Sequence, residues 1–226
     1  MNIIDVATLE ARVTGIINLL PPGVSLVAAA KTRTPEEIQA AVRSGVLQIG
    51  YNYVQEAAVM QHLIGRNVQW YMIGHLQRNK IKKSVQIFDM IQTLDSILLA
   101  EILNTECRVI NKKMPVLIEI NSGREINKTG ILPEDVVNFI DKIRHHPHLH
   151  IQGLMTMGPL YDDPEKIRPY FQLTRKAFER VKEQNWPEVE MRYLSMGMSD
   201  SYKIAIEEGA NMVRLGTILF GPRVVR

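Results

Sequence analysis

The sequence lacks most of the features that mark a specialised chain. Among its 226 residues there is one cysteine, Cys107, so no disulfide can form within the chain, which suits a reducing compartment. An excess of one charge is lacking too. Twenty-seven basic against 24 acidic side chains leave a formal net charge of +3, too small to build a long-range field toward nucleic acid or an anionic membrane. No stretch of about eighteen uninterrupted apolar residues occurs, so no membrane span is expected. The first twenty residues hold Asp5 and Glu10 but no basic leader, which argues against a secretory signal and for a cytoplasmic protein. Linkers rich in proline, glycine and serine are missing, as are low-complexity segments, so no domain boundary is visible.

What is present is alternation. Val6, Leu9, Val13, Ile16, Ile17 and Leu20 recur at helical spacing and predict an opening helix that ends before Pro21. Next, SLVAAA reads as a buried strand leading to Lys31. TPEEIQAAVRSG reads as a helix with Thr34 at its N-cap, Pro35 in its first turn and Gly45 at its close. Seven further strand candidates follow: LQIGYN, QWYMIG, QIFDMIQTLD, PVLIEINSG, IQGLMTMG, RYLSMGM and NMVRLGTILFG. Helical stretches lie between them. These strands are apolar on both sides, as a parallel sheet wrapped by helices requires. The fold class expected is therefore α/β, a single (β/α)8 TIM barrel with an additional N-terminal helix, one domain over residues 1–226; an open doubly wound sheet is the alternative. Function should then sit at the C-terminal ends of the strands.

Lys31 stands at the first of those ends, after small and apolar residues. An amine desolvated at a barrel mouth is more readily neutral, and a neutral amine attacks an aldehyde to form a Schiff base. Considered alone, a solvated lysine leaving a strand is the better reading. The last two strand ends place Ser195, Gly197, Ser199, Gly216 and Thr217 where barrels bind phosphate, although such residues also make ordinary turns and caps. Arg214, between Val213 and Leu215, needs a buried partner: a ring nitrogen or carboxylate of a ligand on one reading, a structural ion pair with Glu119 on the other.

Taken in order, VAAAKTRTPEEI, IGYNYVQEA, WYMIGHLQRNK, GLMTMG and YLSMGMSDSYKIAIEEGANMVRLGTILFGPR resemble the pyridoxal phosphate homeostasis proteins (YggS/PROSC type) over nearly the whole chain. The resemblance implies a fold like the N-terminal domain of alanine racemase, with pyridoxal 5′-phosphate (PLP) held as a Schiff base on Lys31. It further implies that Ser195, Gly216 and Thr217 hold the phosphate and that Asn52 lies near the ring. Arg214 would face the pyridine nitrogen, and Ile73 and Met155 would supply apolar contacts. The family usually carries a serine before the lysine and a glutamate before the asparagine. This chain has Ala30 and Tyr51 there, and a phenol beside the cofactor would alter solvent access or reactivity.

The function so implied is that of a monomeric, non-catalytic carrier, buffer or regulator in vitamin B6 homeostasis, with apo PLP-dependent enzymes as recipients. Two points favour it over turnover. The chain stops at Arg226 without the C-terminal segment that brings an opposing base in racemases, and an arginine at the ring nitrogen weakens the ring as an electron sink. The alternative is a small PLP-dependent racemase or lyase using Lys31, with Tyr51 as a second base. A phosphate-ligand barrel in which Lys31 makes only an ionic contact is a third reading. The histidines of HHPHLH, residues 145–150, lie between a helix end and a strand on the face opposite the phosphate loops, where a structural role is expected. The basic residues of HLQRNKIKK read as a solvated face, with His75 near enough to a strand end to approach the cofactor. Cys107 reads as a small buried residue.

Overall fold

The computed structural model describes residues 6–159 and 161–222. Asp5, Arg223, Arg226 and the two ends of the expected domain lie outside the described residues. Helix α1 (Val6–Leu19) buries Leu9 and Val13. Then follow β1 (Ser25–Ala29), α2 (Pro35–Arg43), β2 (Gln48–Tyr51), α3 (Val54–Ile64), β3 (Gln69–Met72), α4 (Ile81–Ile87) and β4 (Met90–Leu94). The second half runs α5 (Ile97–Val109), β5 (Met114–Glu119), α6 (Val136–Ile143), β6 (Leu149–Met155), α7 (Arg168–Lys182), β7 (Val189–Ser195), α8 (Tyr202–Glu207), β8 (Met212–Leu215) and α9 (Thr217–Phe220). The eight strands pair in sequence order, all parallel, and β1 closes on β8 with Val27 opposite Arg214. The barrel is therefore closed, and the open-sheet alternative is excluded. Among the described residues no helix is long and apolar enough to cross a membrane.

Local chemistry explains the starts of the elements. Thr34 caps α2 reciprocally: its hydroxyl accepts from Glu37 N at 3.3 Å, and Glu37 Oε2 accepts from Thr34 N at 2.8 Å. This satisfies two backbone donors that a helix start leaves open. Pro35, at the first helical position, has no N–H to leave unpaired. Two expected strands give way to helix within their apolar runs. In QIFDMIQTLD only Met90–Leu94 is strand, because Ile81, Ser84, Val85 and Ile87 bury one face of α4 at helical spacing and carry the helix through Ile87. In NMVRLGTILFG the strand ends at Leu215, and Thr217–Phe220 turns into α9 with Leu219 and Phe220 buried. Short apolar runs do not distinguish the two periods.

Two layers of side chains make the core. The larger lies between strands and helices and includes Ile49, Tyr51, Trp70, Met72, Val213 and Leu215. The smaller fills the barrel and comprises Val27, Tyr71, Ile73, Met90, Leu117, Met155 and Met212. Alternate residues of a strand point to opposite faces, so Val27 and Met212 fix which residues of β1 and β8 face inward. A register shift between β6 and β7 is accommodated at Gly153, φ 142°. A Cβ there would stand 1.8 Å from Tyr193 O, a distance no side chain tolerates.

Candidate functional site

Strand parity builds the site. On β1, Val27 faces the barrel interior and Ala29 packs on the same layer, so Lys31, two residues on, continues along the inward face. On β2, Ile49 and Tyr51 pack outward, leaving Gly50 and Asn52 inward. Ile73 faces inward from the end of β3. On β8, Val213 and Leu215 face the helices, so Arg214 and Gly216 face in. These ends converge on a cavity of about 180 Å³ lined by Lys31, Asn52, Ile73, Arg214, Gly216 and Thr217, together with Ala29, Arg33, Met157, Met198, Ser199 and Asp200. It lies at the C-terminal end of the strands.

Six of the eight expected site residues are thus brought together. The other two, Met155 and Ser195, are fully buried and do not line the cavity. Met155 belongs to the interior layer that also holds Ile73. Ser195 serves Arg214 instead: its hydroxyl accepts from Arg214 Nη1 at 2.7 Å and donates to Gln92 Oε1 at 2.9 Å. The hydroxyl that does line the cavity beyond the seventh strand is that of Ser199. It accepts from Ile218 N at 3.2 Å and Gly216 N at 3.4 Å, joining the two loops suited to an anion. Gly197 makes this approach feasible. It sits at φ 89°, and a Cβ there would lie 2.6 Å from Ala205 Cβ and 2.8 Å from Tyr202 Cα.

Arg214 is 3% exposed. Besides the Ser195 hydroxyl, its guanidinium donates to Ser195 O at 2.9 Å, Thr156 O at 2.7 Å and Met157 Sδ at 3.5 Å. Burial pushes its pKa down to about 10, and Glu119 works in the opposite direction. The structural reading of Arg214 therefore changes in detail: backbone carbonyls and a hydroxyl hold it, and its relation to Glu119 is electrostatic at longer range. Among the described residues three cationic side chains, Lys31, Arg33 and Arg214, line the cavity with one carboxylate, Asp200. This balance favours an anionic ligand.

Tyr51 is not at the cavity. Its parity is opposite to that of Asn52, and its ring stacks on Trp70 with centroids 5.9 Å apart. Its hydroxyl is buried without a hydrogen-bond partner, and burial followed by the nearby Glu56 raises its pKa. The expected second base is thus turned into the helical layer, away from Lys31. His75 lines a neighbouring cavity of about 550 Å³ with Glu119, Asn121 and Lys128, which meets the first at Met157 and Met198. His75 Nδ1 lies 3.5 Å from Asp95 Oδ2. Burial raises the pKa of Asp95, opposed by His75, and burial together with Asp95 raises that of Glu119. At the other end of the barrel His150 pairs with Glu190 at 3.3 Å, and burial pushes the Cys107 thiol up to about 11.

Arg33, Met157 and Met198 are cavity residues that the sequence motifs do not single out. Met157 was within reach of the parity rule, two residues beyond Met155. Nothing local marks Arg33 or Met198.

The family model for the alanine racemase N-terminal domain matches residues 4–224. A curated relative, the pyridoxal phosphate homeostasis protein of Pasteurella multocida, is 38% identical over 203 residues, covering 88% of this chain and 87% of that protein. The structure of PipY from Synechococcus elongatus with PLP bound superposes with a TM-score of 0.86 at 30% identity, covering 94% of this chain and all of that one. An alanine racemase of Clostridium difficile shares the fold, TM-score 0.79 at 16% identity, over 96% of this chain and 60% of its own.

Proposed function

Since the chain belongs to the alanine racemase N-terminal domain family and to the pyridoxal phosphate homeostasis proteins, we propose that it holds PLP in the Lys31 cavity and serves B6 homeostasis. The observation that carries the reading is the convergence of Lys31, Asn52, Ile73, Arg214, Gly216 and Thr217 on one cationic cavity at the functional end of the barrel. The donor set suits the group. Lys31 supplies an amine for the aldehyde, joined as a Schiff base with loss of one water. Ser199 and Thr217 offer hydroxyl donors for a phosphate dianion, and Gly216 lets the backbone approach it closely. Ala29, Ile73 and Met157 give the ring an apolar bed, and Ser195 acts beneath the site by holding Arg214. The cofactor supplies an electrophilic aldehyde carbon and an electron-withdrawing ring.

The function is that of a carrier, buffer or regulator of PLP, with apo PLP-dependent enzymes as recipients, and the chain acts as a single cytoplasmic domain and monomer. Two features support holding over turnover. Arg214 is a buried cation fixed by four acceptors, and such a cation beside the ring nitrogen disfavours the second positive charge that strengthens an electron sink. Tyr51, the candidate second base, faces away from Lys31.

Absorbance tests the reading directly. Purified protein loaded with PLP is expected to show a Schiff-base band that borohydride abolishes, with the reduced adduct on Lys31 by mass spectrometry, and to pass cofactor to an apo-enzyme. Protein that takes up no PLP would overturn it. Amino-acid turnover faster than with free PLP would instead support a racemase or lyase using Lys31 as its base.

A further inference from the structure

We propose that Arg33 is a positioning residue that ties the turn carrying Gly216 and Thr217 to the loop carrying Lys31, and so sets the preference of the cavity for phosphorylated over unphosphorylated pyridoxal. This rests on the reading of the cavity as the PLP site.

Arg33 lies two residues after Lys31, past Thr32 in a left-handed conformation at φ 65°, and only 6% of its side chain is exposed. Its guanidinium donates through Nη2 to Gly221 O and through Nη1 to Phe220 O at 3.3 Å. It also lies over the Phe220 ring, 5.3 Å from the centroid, and 3.4 Å from Glu37 Oε1. Glu37 in turn closes the capping box of α2. One side chain therefore joins the Lys31 loop, the first turn of α2 and the far end of α9.

Helix α9 is four residues long. Its end cannot shift without moving Gly216 and Thr217 at its start, and both line the cavity. The connection spans 187 residues of sequence at the seam where β8 closes on β1, a junction with no chain connection of its own. A fork of donors can hold two consecutive carbonyls there, which a single ammonium cannot do with the same geometry. The consequence is selective. The hydroxyls of Ser199 and Thr217 grip a phosphate only while the turn at Gly216 is held in place, whereas the amine of Lys31 and the apolar bed serve any pyridoxal.

The test uses the full chain freed of cofactor, as wild type, R33M and R33K. Each is titrated with PLP and with pyridoxal, followed by absorbance and by borohydride-trapped adduct on Lys31. Pyridoxal cyclises in water, which lowers its apparent affinity by the same factor for every variant and cancels in the comparison. R33M is expected to weaken PLP by about tenfold or more, the size of one hydrogen bond from the displaced turn to the charged phosphate, while pyridoxal changes by less than about twofold. R33K, which keeps the charge but lacks the fork, is expected to move the ratio in the same direction by a smaller factor. Inorganic phosphate should compete with PLP less effectively in R33M than in wild type. Equal weakening of PLP and pyridoxal, or no change in either, would overturn the proposal, and R33K decides alone if R33M does not fold. Failure of the wild type itself to take PLP on Lys31 would bring down the cofactor reading and this proposal together, so the two failures are told apart.

Discussion

Ser195 and Arg214 are bound to each other twice: Arg214 Nη1 lies 2.9 Å from the Ser195 carbonyl oxygen and 2.7 Å from its hydroxyl. The hydroxyl proton goes on to Gln92, whose own amide is fully buried and donates to Met212 Sδ at 3.1 Å. Ser195→Ala should therefore act on the barrel interior. Loss of a buried hydroxyl between two polar groups is expected to cost about 1–3 kcal/mol, read as a lower Tm, while saturating PLP still loads one equivalent per chain. A variant of unchanged Tm that no longer binds PLP would place Ser195 at the cofactor instead.

Lys31→Ala should abolish the borohydride-trapped adduct and leave the fold intact. Lys31 is only half-buried at the barrel mouth, so truncating it opens no core cavity, and the Tm is expected to change by no more than surface substitutions do, about 0.5 kcal/mol equivalent. Loss of cooperative melting would contradict its placement at the mouth.

Ser199→Ala removes the hydroxyl that accepts from Gly216 and Ile218. Its expected effect is roughly tenfold weaker PLP binding, the size of one hydrogen bond to a charged group, with the adduct still forming on Lys31 at saturation. Unaltered affinity in an equilibrium titration would remove Ser199 from the anion site.

Tyr51→Phe separates two placements of that ring. The hydroxyl is buried and unpartnered, a state that costs about 1–3 kcal/mol, so its removal is expected to leave the Tm unchanged or higher. Because the ring faces Trp70, the absorbance and stoichiometry of bound PLP should not move. A shifted cofactor band would return Tyr51 to the site.

Glu119 carries the pH prediction. Burial, and Asp95 after it, raise its pKa in the folded protein. The protonated form is thus the one the fold favours, and stability from this group is present at low pH and lost as pH rises through the folded pKa. Glu119→Gln, neutral throughout, is expected to melt higher than wild type near pH 7.5, by about 2–4 °C if the gain is roughly 1 kcal/mol. The difference should vanish as pH falls into the carboxylate range. A gap that widened on acidification would reverse the sign of the argument.

Much of this protein is legible in the sequence because its signals are local. The capping pattern of Thr34, Pro35 and Glu37 starts α2 wherever it is placed, and eight apolar runs separated by helical stretches specify a covered parallel sheet. Two-residue parity sets Arg214 opposite Val213 and Leu215, but in strands apolar on both sides it does not say which side is the barrel interior. The order of motifs carries the family. Boundaries such as the break between Leu215 and Thr217 are less legible, because a short apolar run satisfies a buried strand and a buried helical turn alike.

Closure decided the rest. Only when β8 pairs with β1 does the turn at Gly216 reach the loop of Lys31, and only then does Arg33 find carbonyls 187 and 188 residues away in sequence. Parity places Ser195 on the inward face, but the stagger of the barrel determines its height. That height sets it against Gln92 and Arg214, below the cavity, and leaves Ser199 at the mouth. Tyr51 likewise sits beside a cavity residue in sequence and on the opposite side of the sheet in space. Contacts between distant segments are what a one-dimensional pattern omits, and in this protein they separate the residues that line the cavity from those that hold the lining in place.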